Sequence, residues 1–339
     1  MQTDICIPTQ SMGTRVYGLF NTKSYPKYVN VIILFMISTL LPILFVYVFI
    51  VLGYMAKRLF KEDINTKTLT LMSVYFLQPF VTIWGFSTAT LHAEHVYVPL
   101  LYLGIILSLL LPSILLGRMI FSNIKDRAIF SIAGFVGNTG NIGIPLGIAL
   151  FGEQSVIYTT LINIANVFVV YIIGVYIYSR GSFSIRDSLF NIIKIPIIPA
   201  SIVAIFVNIN GIAISSELQE FFKMGAYAGI VLQLFLLGTF LYGIRIKALH
   251  PKLFMGTISQ KFIIIPLATA LILSFTDLPL FVQGVIFMEM ITPLAVANIN
   301  LASLYNCKPN DVTSLILLST LLFIPILFVL SYVVEHYYL

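Results

Sequence analysis

Ten long apolar runs, separated by short polar stretches, constrain this chain more than any other feature. The hydrocarbon core of a bilayer is about 30 Å thick and takes roughly 20 apolar residues per helix. The runs have that length. They read as transmembrane helices TM1 (29–55), TM2 (69–90), TM3 (96–121), TM4 (128–151), TM5 (155–178), TM6 (189–207), TM7 (221–243), TM8 (253–275), TM9 (278–304) and TM10 (312–332). Ten such helices use most of the 339 residues and leave no room for a soluble catalytic domain. Only 9% of residues are charged, against about 25% in soluble domains. The expected class is an all-α membrane protein.

The basic residues are placed as a membrane protein needs them. Lys57, Arg58, Lys61 and Lys67 follow TM1, and Arg118, Lys125 and Arg127 follow TM3. Arg180 and Arg186 follow TM5, Arg245, Lys247 and Lys252 follow TM7, and Lys308 follows TM9. The even loops carry none, although Lys223 opens TM7. By the positive-inside rule the odd loops are cytoplasmic and both termini lie outside. Arg15, Lys23 and Lys27 in the mixed polar N-terminal tail, 1–28, oppose this and are outnumbered. The net charge of +6 therefore sets orientation and does not point to nucleic acid. The tail lacks the basic start, apolar stretch and small-residue cleavage site of a signal peptide. Cys6 and Cys307 offer neither a disulfide framework nor metal spacing.

An odd number of spans per half inverts the second half relative to the first. Repeat one is 29–180 and repeat two is 185–339. Each opens on a proline-bearing helix (Pro42; Pro196 and Pro199). Each sets a proline-bearing third helix (Pro112; Pro266) before one rich in small and polar residues. Inverted repeats of this kind are a frequent transporter plan.

The chemistry is concentrated in those last helices. TM4 contains Gly137-Asn138-Thr139-Gly140-Asn141-Ile142-Gly143-Ile144-Pro145-Leu146-Gly147. Pro145 removes a backbone donor, and unsatisfied backbone groups cannot face hydrocarbon. This segment is expected to be broken and buried against protein or a water-filled cavity. TM9 carries its counterpart, from Glu289 through Thr292, Pro293 and Asn298 to Asn300. Broken helices expose N-terminal N–H groups with partial positive charge, which suit a carboxylate. The plainer account is close helix packing through small residues; two such segments in matching places of the two halves argue against it.

Glu289 is the acidic residue deepest in an apolar run. Intramembrane carboxylates are costly and usually functional. Glu289 suits Na⁺ binding with neighbouring carbonyls and amides, or uptake of H⁺, against the alternative of a protonated carboxyl hydrogen-bonded in the bundle. Asn163 and Asn166 share a face of TM5. Gln78, beside Pro79, and Gln233 are further candidates to reach a pocket from TM2 and TM7. Lys194 and Lys261 are expected to snorkel to the cytoplasmic surface. His92, Glu94 and His95 are expected in a solvated outer loop, not on a metal. No nucleophile–base pair or phosphate loop is present, which excludes ATP as the driving force and leaves an intramembrane enzyme without a catalytic partner for Glu289.

The run Asn138-Thr139-Gly140-Asn141-Ile142-Gly143-Ile144-Pro145-Leu146, closing on Phe151-Gly152, resembles the TM4 motif of the auxin efflux carrier family. Pro293 to Asp311, with Ala302, Tyr305-Asn306 and Pro309, is similar to that family's TM9 signature. Gly53-Tyr54, Lys57-Arg58 and Pro79 also fit. The resemblance covers about residues 29–339 and is to a bacterial-type member, within the superfamily of bile acid, arsenite and riboflavin transporters. It implies ten transmembrane helices as two inverted five-helix repeats, with broken helices 4 and 9 crossing beside the substrate. It implies a scaffold (TM1, TM2, TM6, TM7), a moving portion (TM3–TM5, TM8–TM10) and a homodimer through the scaffold. It places Asn166 next to a substrate-contacting position and Glu289 at a sodium-binding glutamate of the bile acid symporters.

Two departures matter. The long loop of the plant members between TM5 and TM6 is reduced here to 180–188, which disfavours auxin itself. Asn298 stands where the family usually has a second TM9 proline. The resemblance to bacterial members implies small mono- or dicarboxylates such as malate or malonate. The expectation is a secondary transporter in a plasma membrane (the bacterial inner membrane), working by an elevator motion, with no cofactor and with coupling to Na⁺, to H⁺ or to neither. A solute sensor on a carrier-like fold is the alternative.

Overall fold

The structure is a computed structural model that describes residues 41–88, 90–179, 193–242 and 250–338. The expected tail 1–28, the first part of TM1, and Arg180, Arg186, Arg245 and Lys247 lie outside the described residues. The described residues are helical and contain no strand. In order they form α1 (Leu41–Phe60), α2 (Thr66–Ser87), α3 (Ala93–Ile120), α4 (Ile124–Ile132), α5 (Thr139–Phe151) and α6 (Glu153–Tyr178). Then come α7 (Ile197–Ile209), α8 (Ser216–Leu241), α9 (Pro251–Leu273), α10 (Leu280–Ile291), α11 (Ala297–Leu304) and α12 (Pro309–Tyr337). Six of them, α2, α3, α6, α8, α9 and α12, have stretches long and apolar enough to cross a membrane; α5, α7 and α10 are shorter apolar helices.

Local chemistry sets the helix ends. The Asn65, Asn123 and Ser215 side chains accept from the backbone N–H of Thr68, Lys125 and Leu218, capping α2, α4 and α8. The Ser215 cap starts α8 five residues before the expected TM7. Pro251 and Pro309 open α9 and α12, where a missing N–H costs nothing. Inside helices, wide π turns at Met72–Leu77, Thr139–Gly143 and Gln260–Ile264 each lie just ahead of a proline, Pro79, Pro145 or Pro266. A proline ring clashes with the carbonyl four residues back. A locally wider turn gives it room.

Two of the expected spans are interrupted. TM4 is split into α4 and α5 by residues 133–138, and TM9 into α10 and α11 by 292–296. The other helices pack in two groups. In the first, α8 lies along α1 and α2, and α7 packs on α2. The α1–α8 approach is close enough that a Cβ at Gly53 would strike the Phe235 carbonyl, and one at Gly238 the Ile50 carbonyl. In the second, α3 packs on α4 and α6, α9 on α10, and α11 on α12.

His92 is exposed, as expected, and His95 departs from expectation. His95 is buried in the first turn of α3, where its Nδ1 accepts from the His92 N–H at 3.0 Å, and its ring stacks on Tyr158. It is a capping residue, not part of a solvated loop. Lys194 is exposed, consistent with its expected place at the surface.

Candidate functional site

The two breaks meet. The Asn138 N–H donates to Pro293 O at 2.8 Å, and the Ala295 N–H to Val136 O at 2.9 Å. These bonds close an isolated antiparallel bridge, Gly137 to Leu294. Non-helical backbone at membrane depth is tolerated where it is satisfied by protein, and here each break satisfies the other.

Side chains from neighbouring helices complete that satisfaction. Asn166 on α6 donates from Nδ2 to Gly137 O at 2.8 Å and to Thr139 Oγ1 at 3.0 Å. Its Oδ1 accepts from the Tyr102 hydroxyl of α3 at 3.2 Å. The Thr139 hydroxyl donates to Asn163 Oδ1 at 3.0 Å. In the other break, the buried Asn298 turns its Nδ2 to Ala133 O, Val136 O and Ala295 O at 3.2–3.4 Å and accepts from the Tyr178 hydroxyl at 3.1 Å. Where a proline would have removed a donor, Asn298 fastens α11 to the end of α4. The Leu294 N–H, freed from the helix, donates to Ser319 Oγ on α12 at 3.2 Å.

A cavity of about 160 Å³ lies against the crossing. Gln78, Asn138, Gly140, Asn141, Asn163 and Asn166 line it with Tyr171 and Ala295–Ala297. The starts of α5 and α11 both border it. No charged side chain lines it. The Asn138 Nδ2 is buried without a hydrogen-bond partner. Gln233 on α8 donates to Gln78 Oε1, so it reaches the cavity wall through Gln78. Val74 belongs to the first half of α2 and Gln78 lies just past its middle, Tyr171 belongs to the second half of α6, and Ile195 precedes α7. The cavity therefore lies on the side of the crossing that faces the basic loop after TM1. At the opposite end, Lys223 of α8 pairs with Glu153 of α6 at 2.9 Å, and the Tyr227 hydroxyl donates to the same carboxylate at 2.8 Å.

Other expected site residues stand apart from the cavity. Pro145, Thr292 and Pro293 are buried in the crossing itself. Thr292 turns its hydroxyl back onto Glu289 O at 2.8 Å. Asn300 is exposed on α11 and lines nothing there, because it falls on the face opposite the break.

Glu289 is fully buried, and neither carboxylate oxygen has a hydrogen-bond partner. It lies so near Gly143 that a Cβ there would overlap the carboxylate. The expectation for Lys261 is overturned. Lys261 is 2% exposed and its Nζ donates to Met290 O at 2.9 Å. It stands ten residues into α9, about 15 Å deep at 1.5 Å per residue, half the thickness of the apolar layer. Snorkelling from there is out of reach. The sequence does carry a signal for it, since a lysine within an apolar run is itself a functional pointer. Tyr102 and Tyr178, which orient Asn166 and Asn298, carry no comparable signal. Among the described residues no cluster of His, Cys, Asp or Glu could hold a metal ion.

A larger cavity of about 570 Å³ lies among the ends of α2, α7 and α8. Its lining is mainly apolar, and the amide of Asn208 there is already engaged by Phe86 O and the Leu91 N–H. With no buried unpaired polar group in its lining to orient a ligand, it is the weaker candidate despite its size.

Sequence comparison agrees with the geometry. The family model described as membrane transport protein matches residues 38–331, a stretch that includes both breaks. An uncharacterized transporter of Methanocaldococcus jannaschii is 25% identical over 289 residues, covering 82% of this chain and 93% of that protein. The chain therefore belongs to the membrane transport protein family, that of the auxin efflux carriers, and is an integral membrane transporter, not an enzyme.

Proposed function

We propose that the protein is a secondary carrier of a small organic anion, a mono- or dicarboxylate, working by elevator-type alternating access in a plasma membrane of the bacterial inner-membrane kind. The observation that carries this is the amide-lined cavity at the crossing, with the unpartnered Asn138 Nδ2 on its wall. Helix starts and amide N–H groups bind a carboxylate without a buried arginine. A volume of about 160 Å³ suits a small acid, well below the 300–1,000 Å³ of drug-sized sites. Asn138, Asn141 and Asn166 are assigned to substrate, and Thr139, buried behind the wall, to holding Asn163 and Asn166. Pro145, Pro293 and Asn298 hold the crossing in shape.

Alternating access is supported by asymmetry. The cavity lies toward the basic loop after TM1, while Glu153, Lys223 and Tyr227 join α6 to α8 at the other end. That ion pair joins α6 to α8, one helix from each packing group. The grouping of α1, α2, α7 and α8 supports a scaffold of TM1, TM2, TM6 and TM7. The remaining helices form the moving portion of a ten-helix inverted repeat, with both termini outside. Exposed apolar side chains on α1 and α7, such as Phe45, Leu52, Ile202 and Phe206, suit lipid or a second copy in a scaffold dimer. Coupling, to H⁺ or Na⁺, is assigned to Glu289.

The test is counterflow. Proteoliposomes loaded with an unlabelled dicarboxylate are expected to accumulate labelled malate or malonate, and Asn138→Ala or Pro145→Ala to abolish the accumulation. No counterflow with any small carboxylate would turn the reading to a membrane solute sensor.

A further inference from the structure

The end of α10 is a half-helix C-terminus at membrane depth. Such an end has carbonyls without intrahelical donors and carries partial negative charge. In this chain each lost donor can be traced. Pro293 has no N–H to give Glu289 O, and the Thr292 N–H and hydroxyl serve that carbonyl instead. The Ala295 N–H, which would have served Ile291, goes to Val136 O across the bridge. The Leu294 N–H, which would have served Met290, goes to Ser319 Oγ. Met290 O receives the Lys261 ammonium in its place, at 2.9 Å.

Lys261 comes from a π turn of α9, Gln260–Ile264. Its Nζ ends beside Gly137, where a Cβ would lie 3.1 Å away. It thus reaches both broken segments at their bridge. The acidic residue of that half-helix end is Glu289, next to Met290 in the chain, and its backbone carbonyl lies 3.7 Å from the same Gly137 Cβ position. Both Glu289 oxygens are buried and without a hydrogen-bond partner. In carriers with broken helices, half-helix C-terminal ends and unwound carbonyls are where a coupling Na⁺ is coordinated.

We propose that Lys261 is the resident cation of the crossing: its ammonium, held by Met290 O and balanced by Glu289, fills the place a Na⁺ would take, so that the bridge between the two breaks is assembled without sodium. Lys261 is then a positioning residue. It does not touch the cavity; it holds the α10 end from which Pro293 and Ala295 reach across to Asn138 and Val136. Na⁺ is removed as a coupling ion, which leaves H⁺ at Glu289. The inference rests on the crossing being the working site, but its test reads sodium directly and needs no substrate, so it fails independently of the carboxylate reading.

The experiment is thermal unfolding of the purified full chain in detergent, in NaCl and in choline chloride at equal ionic strength. The wild type is expected to unfold at the same temperature in both salts. Lys261→Ala is expected to unfold several degrees lower in choline chloride and to regain part of that loss, saturably, in NaCl, because sodium enters beside the unbalanced Glu289. A wild-type midpoint that rises saturably with NaCl overturns the proposal, as does a Lys261→Ala variant indifferent to the choice of salt. Should Lys261→Ala fail to fold, ²²Na⁺ binding to the wild type by scintillation proximity decides: no saturable binding is expected, and saturable binding overturns it.

Discussion

The backbone N–H of Asn138 donates to the carbonyl of Pro293 at 2.8 Å, tying one interrupted helix to the other. Each residue lies in a break, and each break leaves polar groups that hydrocarbon could not satisfy. The crossing is therefore a mutual solution, and perturbing one side should be felt on the other.

Asn166 is held there by three bonds, to Gly137 O, Thr139 and Tyr102. Asn166→Ala strands the Gly137 carbonyl and the Tyr102 hydroxyl. The expected loss is about 1–3 kcal/mol of stability, together with loss of counterflow. Tyr102→Phe removes a single bond and should cost about 1 kcal/mol. Thermal unfolding of the two variants in parallel checks the order.

Glu289 and Lys261 are both buried, 0% and 2% exposed, and carry opposite charge when ionised. Glu289→Gln leaves Lys261 uncompensated and is expected to cost about 3–5 kcal/mol. Replacing both, as Glu289→Met with Lys261→Met, should recover most of that stability while abolishing pH-dependent uptake. A double-mutant cycle by thermal unfolding measures the coupling. Additivity of the two single substitutions would contradict it. Uptake by Glu289→Gln that keeps the wild-type pH dependence would remove Glu289 from coupling.

Gly143 has no room for a side chain, because the Glu289 carboxylate lies where its Cβ would be. Gly143→Ala is expected to destabilise by about 1–3 kcal/mol. Gly104→Ala on α3, with open space around it, should be within about 0.5 kcal/mol of the wild type.

The Glu153–Lys223 pair is partly exposed, with side chains 45% and 30% accessible. Such pairs contribute about 0–1 kcal/mol. Lys223→Met should leave the unfolding temperature nearly unchanged, yet shift the balance toward an outward-open form by up to about fivefold. Labelling of a cysteine placed at Asn141 by an outside, membrane-impermeant maleimide should rise accordingly. Unchanged labelling would mean the pair is not a gate.

Much of this is legible in the sequence, for a physical reason. Gly137 to Gly147 and Thr292 to Asn300 combine residues that an unbroken lipid-facing helix disfavours, so residue types alone locate the breaks. The all-helical class follows from apolar run length, and Glu289 stands out through the cost of a buried carboxylate. Lys261 is misleading because its distance from a basic loop suggests an exit to water, whereas depth is set by where α9 starts, and its partner Met290 O is free only because Pro293 interrupts α10. Asn298 reads as a substrate contact; that it serves three carbonyls, two of them in the opposite break, depends on packing between residues 133–136 and 295–298. Tyr102, Tyr178 and the Glu153–Lys223 pair make contacts across distant parts of the chain, which no local pattern encodes.

The most direct measurement is a structure determined by electron cryomicroscopy with whichever small carboxylate supports counterflow. The account predicts density for the acid at the crossing, within hydrogen-bond distance of Asn138 Nδ2 and bordered by Asn141 and Ala297. Density instead in the larger cavity among α2, α7 and α8, with the crossing cavity empty, would contradict it.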